Sequence, residues 1–380
     1  QFGFISGSGS PAAFLVACCH RRAARATAAR LSSASSTGSA DDAGIAKSAS
    51  VPSSSTSVMN VFDRRAKLLQ RRRGLLRPER QCCGYLREEM GWRTFDRICD
   101  IKRDFSVIVD YGCDSGHIAK HITADMAKRI YQCDWLPEAL ETAEKSPEVP
   151  THNVLVEGEN FFPFAENSLD LVVSSMSLHW INDLPGFFSR EILRALKPDG
   201  CLLGSTLGGD SLYELRCSLQ LAEQERLGGF APHVSPFTSN ADLGALMQNC
   251  GYALVSIDVD EIVVRYPSVH DLLTDLRAMG ETNAAWNRPL RLNRDVLTAA
   301  AAIYDFMYGG EDGEEDSEGQ RRRSVPATFQ FVNFIGWKPH HSQQKPARRG
   351  SASVSLRDLG SVMEKNGGGG GGGTDSKPKS

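Results

Sequence analysis

Residues 107–119 read VIVDYGCDSGHIA, a strand-forming run that ends in Asp110 and enters a loop where Gly112 and Gly116 flank a second acid, Asp114. Glycine takes positive φ without strain, so such a loop lets the backbone pass close under a ligand. Asp134 closes the next apolar run, 24 positions after Asp110. A carboxylate there can accept hydrogen bonds from both hydroxyls of a ribose, as in nucleotide-binding βαβ units. Capping the segment that opens at Pro137 explains the same residue equally well. Two further acids, Glu157 and Glu159, stand in VEGENFFPF (156–164), and SSMSLHWINDL (174–184) carries His179 and Trp180. A histidine with an ordinary pKa near 6.5 can take a proton from a substrate. His117 and His121 share a helix face at i, i+4, but neither an H-x-D/E triad nor an H-E-x-x-H motif accompanies them, so no metal site is expected there.

The elements that must position these residues alternate short apolar runs with helical patterns, which gives a parallel sheet covered on both faces. Strands are expected at 107–111, 130–134, 153–156, 169–174 and 201–206. Between them, Ile118, Ile122 and Met126 stack at helical spacing, Pro137 suits a first helical turn, and Pro185 precedes Phe188, Ile192 and Leu196. Lys197, Pro198 and Gly200 should end that last helix. Beyond 207 a helix opens at Ser211 with Glu214 as a capping box, and another runs from Ser239, boxed by Asp242, to Gly251. Helices near 268–279 and 293–308 lie between late strands near 254–264 and 326–337. The acidic run at 309–319 and Arg321–Arg323 read as a charged, solvated loop, and seven glycines at 367–373 as a flexible tail.

A chain of 380 residues with both ends unsuited to packing suggests one core domain, at 58–340, with a tail at 341–380 that is disordered at least from 364. A net charge of −3 gives no overall basic field, which argues against nucleic acid as a partner. Ten cysteines without a C-x-x-C pair read as free thiols, the adjacent Cys82 and Cys83 included. No apolar run reaches the roughly 18–20 residues of a membrane span, so any membrane contact is peripheral. Residues 1–57 read as a mitochondrial transit peptide and Ser-rich linker, because Arg21, Arg22, Arg25 and Arg30 sit among Ala and Ser with no acid before Asp41.

The spacing Asp110, Gly112, Asp114, Gly116 resembles the D-x-G-x-G-x-G loop of S-adenosylmethionine-dependent methyltransferases. The resemblance implies an α/β, Rossmann-like class I methyltransferase fold: a mostly parallel seven-stranded sheet with helices on both faces and a helical insertion after strand five. It also implies S-adenosylmethionine as cofactor, held by Asp110, Gly112, Asp114, Gly116 and Asp134 with Glu157 or Glu159. Two departures weaken that implication. Asp114 replaces the middle glycine, and Gly158 falls where the family has an acid beside the adenine amine.

Longer motifs resemble one family of methyltransferase-like mitochondrial proteins, the complex I assembly factors of type 5, described as arginine hydroxylases. They are NVFDR (60–64), LVVSSMSLHWINDLP (171–185), GGDSLYELRCSLQLAE (208–223), HVSPFT (233–238), AWNR (285–288), SVPATFQFVNFIGWK (324–338) and RGSASVS (349–355). The first half alone is also similar to malonyl-carrier-protein methyltransferases. The resemblance implies a matrix protein, peripheral to the inner membrane, that hydroxylates an arginine in an iron-sulfur core subunit of complex I, together with other assembly factors. Under it, His179 and Asp210 are the catalytic candidates, and Trp180, Tyr213, Arg216, Trp286 and Arg288 the substrate contacts. A carboxylate such as Asp210 or Glu214 and the face of Trp180 or Trp286 could hold a guanidinium, while capping and core packing explain the same residues. Hydroxylation needs an activated oxygen source, and no motif here names its cofactor.

Overall fold

The computed structural model describes residues 60–77, 83–156, 162–315, 321–345 and 349–351. Glu157, Gly158, Glu159, Cys82, the transit-like segment, the glycine run and most of RGSASVS lie outside them. The chain divides into two compact units, Gln1–His340 and His341–Ser380, and the elements below belong to the first.

Val, Ile and Leu recur in β1 (Phe105–Tyr111), β4 (Leu169–Ser175) and β5 (Leu196–Leu207), which form parallel neighbours with the more polar β2 (Ala127–Asp134), and β3 (Thr151–Leu155) lies beyond β2. Apolar runs of this kind are buried on both faces, which is why they lack polar alternation. β6 (Ala253–Tyr266) and β8 (Arg321–Trp337) extend the sheet with antiparallel pairing, in the order β3-β2-β1-β4-β5-β8-β6. Strand order reverses between β1 and β4, so the loops leaving their carboxyl ends open onto one crevice, where ligands bind in sheets of this kind.

Helices α1 (Arg64–Leu75), α2 (Tyr85–Cys99) and α3 (Pro137–Thr142) belong to the first half. The composite helix α4 follows β4 as Leu184–Gly186, a π-helical turn Phe187–Ile192 and Leu193–Ala195. The segment between β5 and β6 supplies α5 (Tyr213–Leu227) and α6 (Asn240–Asn249), and the segment between β6 and β8 supplies α7 (Val269–Met279) and α8 (Arg294–Tyr308). Leu215, Leu219, Leu272, Leu276, Val296 and Tyr304 pack there with Phe329 and Phe331 of β8 into one core cluster.

Several local expectations are corrected. The first crossover holds a single 3-10 turn, Ala119–His121, because Asp114 and Gly116 turn the chain at positive φ and Ile122 is already extended. His117 and His121 therefore share no helix face; His117 Nδ1 meets Glu88 Oε2 at 2.8 Å and His121 stacks on Phe95. Helix α4 stops at Ala195, and Lys197 donates to Asp170 at 2.9 Å instead of capping. The capping box at Ser211 does not form. Leu212, at φ +55°, precedes α5, Ser211 Oγ bonds the backbone of Gln330, and Glu214 accepts from Thr328 N at 3.1 Å. The Ser239 cap is present, accepting from Asp242 N, and Gly251 has φ +95°. The acidic segment is partly β-structure: β7 (Gly310–Glu315) pairs antiparallel with β8 as an eighth strand, opposite charges facing across Glu311↔Arg323.

Candidate active site: a cleft closed by helix α1

The loop after β1 folds over the ends of β1 and β2. Gly112 and Gly116 have φ +72° and +78°; a Cβ on Gly112 would meet Ser177 Oγ at 2.0 Å, and one on Gly116 would meet Glu144 O at 2.2 Å. Asp114 lies between them at φ +48°. The left-handed region costs an L residue about 1–2 kcal/mol, and Asp tolerates it better than most. Its polar contacts offset that strain: Asp114 N donates to Asp134 Oδ2 at 3.1 Å, and its carboxylate accepts from Arg71 Nη2 at 3.2 Å.

Arg71 comes from α1, is only 5% exposed, and also donates to Asp134 Oδ2 at 3.0 Å. Burial alone would lower its pKa, but Asp134 and Asp114 outweigh it and hold the guanidinium protonated. Asp134 Oδ1 accepts from Leu136 N at 3.0 Å, so both of its oxygens are engaged. Arg64 and Arg71 lie over the Trp135 ring, 4.7 and 5.4 Å from its centroid.

Asp110 sits at the base of the loop, fully buried, and neither oxygen has a hydrogen-bond partner among the described residues. Burial and then the charge of Asp134 push its pKa up to about 8. Its folded pKa lies above an unfolded value near 3.9, so its contribution to stability is complete below about pH 4 and is lost as pH rises towards 8. Asp110→Asn removes that slope. Relative to the wild type, urea unfolding should show the variant gaining up to about 5 kcal/mol between pH 4 and pH 8.

A second buried cluster adjoins the first. Glu281 receives Arg87 on Oε1, and its Oε2 accepts from Trp180 Nε1 at 3.0 Å and meets His179 Nε2 at 3.2 Å. Burial would raise its pKa, but Arg87, His179 and Lys67 overcome this and hold it down to about 2. Burial lowers the pKa of His179 against the pull of Glu281, which favours the neutral ring; Nε2 faces Glu281, and Nδ1 is buried without a hydrogen-bond partner among the described residues. Lys67 Nζ lies 3.2 Å from the Trp180 ring centroid and donates to Gly280 O at 2.9 Å and Thr282 O at 2.7 Å.

These contacts fasten α1 over the cleft, and the N-terminal motif joins in. Asn182 Oδ1 accepts from Val61 N and Phe62 N at 2.9 and 2.7 Å, Phe62 packs edge-on to Trp180, and Asp63 pairs with Arg288 at 3.1 Å. Trp180 and Arg288, singled out as substrate contacts, thus serve the fastening of α1. Trp286 donates its backbone N–H to Val61 O, and the residue is 61% exposed. Asp210 bonds Gln330 on the surface and Tyr213 packs on Tyr308. Arg216 donates to Gly209 O and lines a separate cavity of about 310 Å³ with Gln220, His233, Ser235, Phe237 and Asn287. There His233 Nε2 meets Glu223 Oε1 at 2.6 Å. Asp210 therefore joins neither His179 nor the loop acids through any bond described.

Lys67, Arg71, Arg87 and Glu281 were not singled out from the sequence. A usable signal existed for the first two: Arg64, Lys67 and Arg71 recur at spacings of three and four, which puts three cations on one helix face.

S-adenosylmethionine is the ligand this fold implies. Asp134 Oδ1 accepts from Leu136 N alone and keeps a lone pair for a ribose hydroxyl, while Oδ2 is taken by Arg71 and Asp114 N. Among the described residues the opening between Tyr111, Gly112, Trp135, Ser177 and Ile181 holds about 20 Å³, so a nucleoside enters only once Arg71 has moved.

Residues 109–204 match the family described as "Methyltransferase domain". The malonyl-[acyl-carrier protein] O-methyltransferase of Methylovorus sp. (strain MP688) is 30% identical over 269 residues, 67% of this chain and 82% of that protein. The mitochondrial arginine-hydroxylase NDUFAF5 of Danio rerio is 49% identical over 309 residues, 81% of this chain and 92% of the relative. The Homo sapiens protein of the same name is 48% identical over 310 residues, 82% of this chain and 86% of the relative. With 48–49% identity over about four-fifths of its length, the chain belongs to the mitochondrial arginine-hydroxylase NDUFAF5 family.

Proposed function

We propose that this protein hydroxylates an arginine side chain in an iron-sulfur core subunit of respiratory complex I during early assembly, in the mitochondrial matrix at the face of the inner membrane. The observation that carries the reading is the 48–49% identity to relatives named arginine-hydroxylase across about four-fifths of the chain. Among the described residues no helix is long and apolar enough to cross a membrane, which is compatible with peripheral attachment. Hydroxylation converts a C–H bond to C–OH and draws its oxygen from an activated source supplied by a metal, flavin or comparable cofactor. The chain's own contribution is to select and hold the arginine, with carboxylates for its guanidinium and an aromatic face beside it.

Methyl transfer is the competing reading, favoured by the methyltransferase domain at 109–204. It requires Arg71 to leave Asp134 before a nucleoside could enter. Expression of this chain in cells lacking their own family member tests the proposal: assembled complex I, read on native gels, should return. Failure to restore assembly, or transfer of labelled methyl from S-adenosylmethionine to a subunit by the purified protein, would overturn it.

A further inference from the structure

The cleft already contains a guanidinium, and it belongs to the chain itself. Arg71 Nη2 is held by Asp114 and Asp134 at 3.2 and 3.0 Å, with the Trp135 ring alongside. A plug needs only shape, and an apolar side chain of similar volume in a dry cleft is often as stable as a buried ion pair or more so. Here the loop instead carries an acid at positive φ where the methyltransferase pattern has glycine, and that acid faces the guanidinium of an arginine. Both acids bond the same nitrogen, Nη2, and the guanidinium lies beside the indole of Trp135; the planar cation against an aromatic face, rather than a two-nitrogen fork, is what favours arginine over lysine here.

The helix that delivers Arg71 is held by polar contacts rather than by a packed apolar face. The residues α1 buries are Lys67, Arg71 and Gly74, while Leu69 is exposed. Its anchors are the carbonyls of Gly280 and Thr282 and the two acids, and an incoming guanidinium on Asp114 and Asp134 would replace the charge that Arg71 withdraws.

We infer that Asp114, Asp134 and Trp135 form a guanidinium-binding site, which Arg71 fills as an internal stand-in and which receives the substrate arginine side chain when α1 lifts. The identity of the occupant rests on the arginine hydroxylase reading; the clasp does not. Arg71 is then an intramolecular competitor, and the affinity for an external guanidinium is reduced by the fraction of molecules in the closed state.

Full-length protein titrated with N-acetyl-L-arginine methylamide tests this, with the lysine analogue and S-adenosylmethionine as parallel arms. Arg71→Ala should bind the arginine analogue at least tenfold more tightly than the wild type, and adding Asp114→Asn should abolish the gain. Because Arg71→Ala leaves Asp134 without its cation and Asp114 with the more distant Arg87, whose Nε lies 3.8 Å from Oδ2, the thermal midpoint is followed as well, and the arginine analogue should raise it where the lysine analogue does not. The proposal is overturned if Arg71→Ala gains neither affinity nor thermal protection from the arginine analogue, or if it gains them from S-adenosylmethionine alone. A variant that binds the arginine analogue as expected, in a protein that leaves complex I unmodified, would keep the site and remove the hydroxylase reading.

Discussion

Glu281→Gln is expected to cost about 3–5 kcal/mol at neutral pH, the penalty for leaving buried cations uncompensated. Glu281 is the one acid bonded to both Arg87 and His179, and it lies within electrostatic reach of Lys67. Glutamine keeps the shape and an acceptor for Trp180 Nε1 but leaves the buried Arg87 guanidinium without its carboxylate, beside Lys67, whose pKa burial already depresses. The pH dependence gives an independent check. The folded pKa near 2 lies below an ordinary value of 4.5, so the contribution is complete above about pH 5 and is lost as pH falls towards 2. That shift corresponds to about 3 kcal/mol, in line with the mutational figure. Urea unfolding should therefore separate wild type and variant widely at pH 7, narrow the gap to less than half near pH 3, and bring them together only below about pH 2. Equal stabilities at pH 7 would show that the cluster does not hold α1 in place.

The second large effect lies at the clasp. Arg71→Met strands Asp134 and leaves Asp114 with only the more distant Arg87, and Asp134→Asn strands part of the charge on Arg71, so each is expected to cost about 3–5 kcal/mol. The double variant leaves fewer uncompensated charges than the sum of the two. A double-mutant cycle by chemical denaturation should return an interaction of about 1–3 kcal/mol favouring the native pair. Strict additivity would place Arg71 elsewhere in solution.

Much of this architecture could be read from the sequence. The strands were legible because parallel strands buried on both faces leave continuous apolar runs, as in FSVIVDY and LDLVVSS. The first crossover was misread because Ile118 and Ile122 are buried at helical spacing without forming a helix, the periodicity being matched by a turn and a 3-10 segment. At Ser211 the capping pattern was present but β8 offered both side chains better partners, a tertiary contact 114 to 119 residues away. In the site, the loop acids and Asp134 could be grouped from their spacing, since a βαβ unit fixes where they stand. Their counter-ion could not. Arg71 and Asp134 are 63 positions apart and Lys67 and Gly280 are 213 apart, and no local pattern in RRAKLLQRRR says which strand end the helix will cover.

The most direct test of the central claim is the mass of the tryptic peptides spanning the arginines of the iron-sulfur core subunit. They would be taken from complex I of cells lacking the family member and of the same cells expressing this chain. Expression should make one arginine peptide heavier by a single oxygen atom; an unchanged mass, or a gain of one methylene, would contradict it.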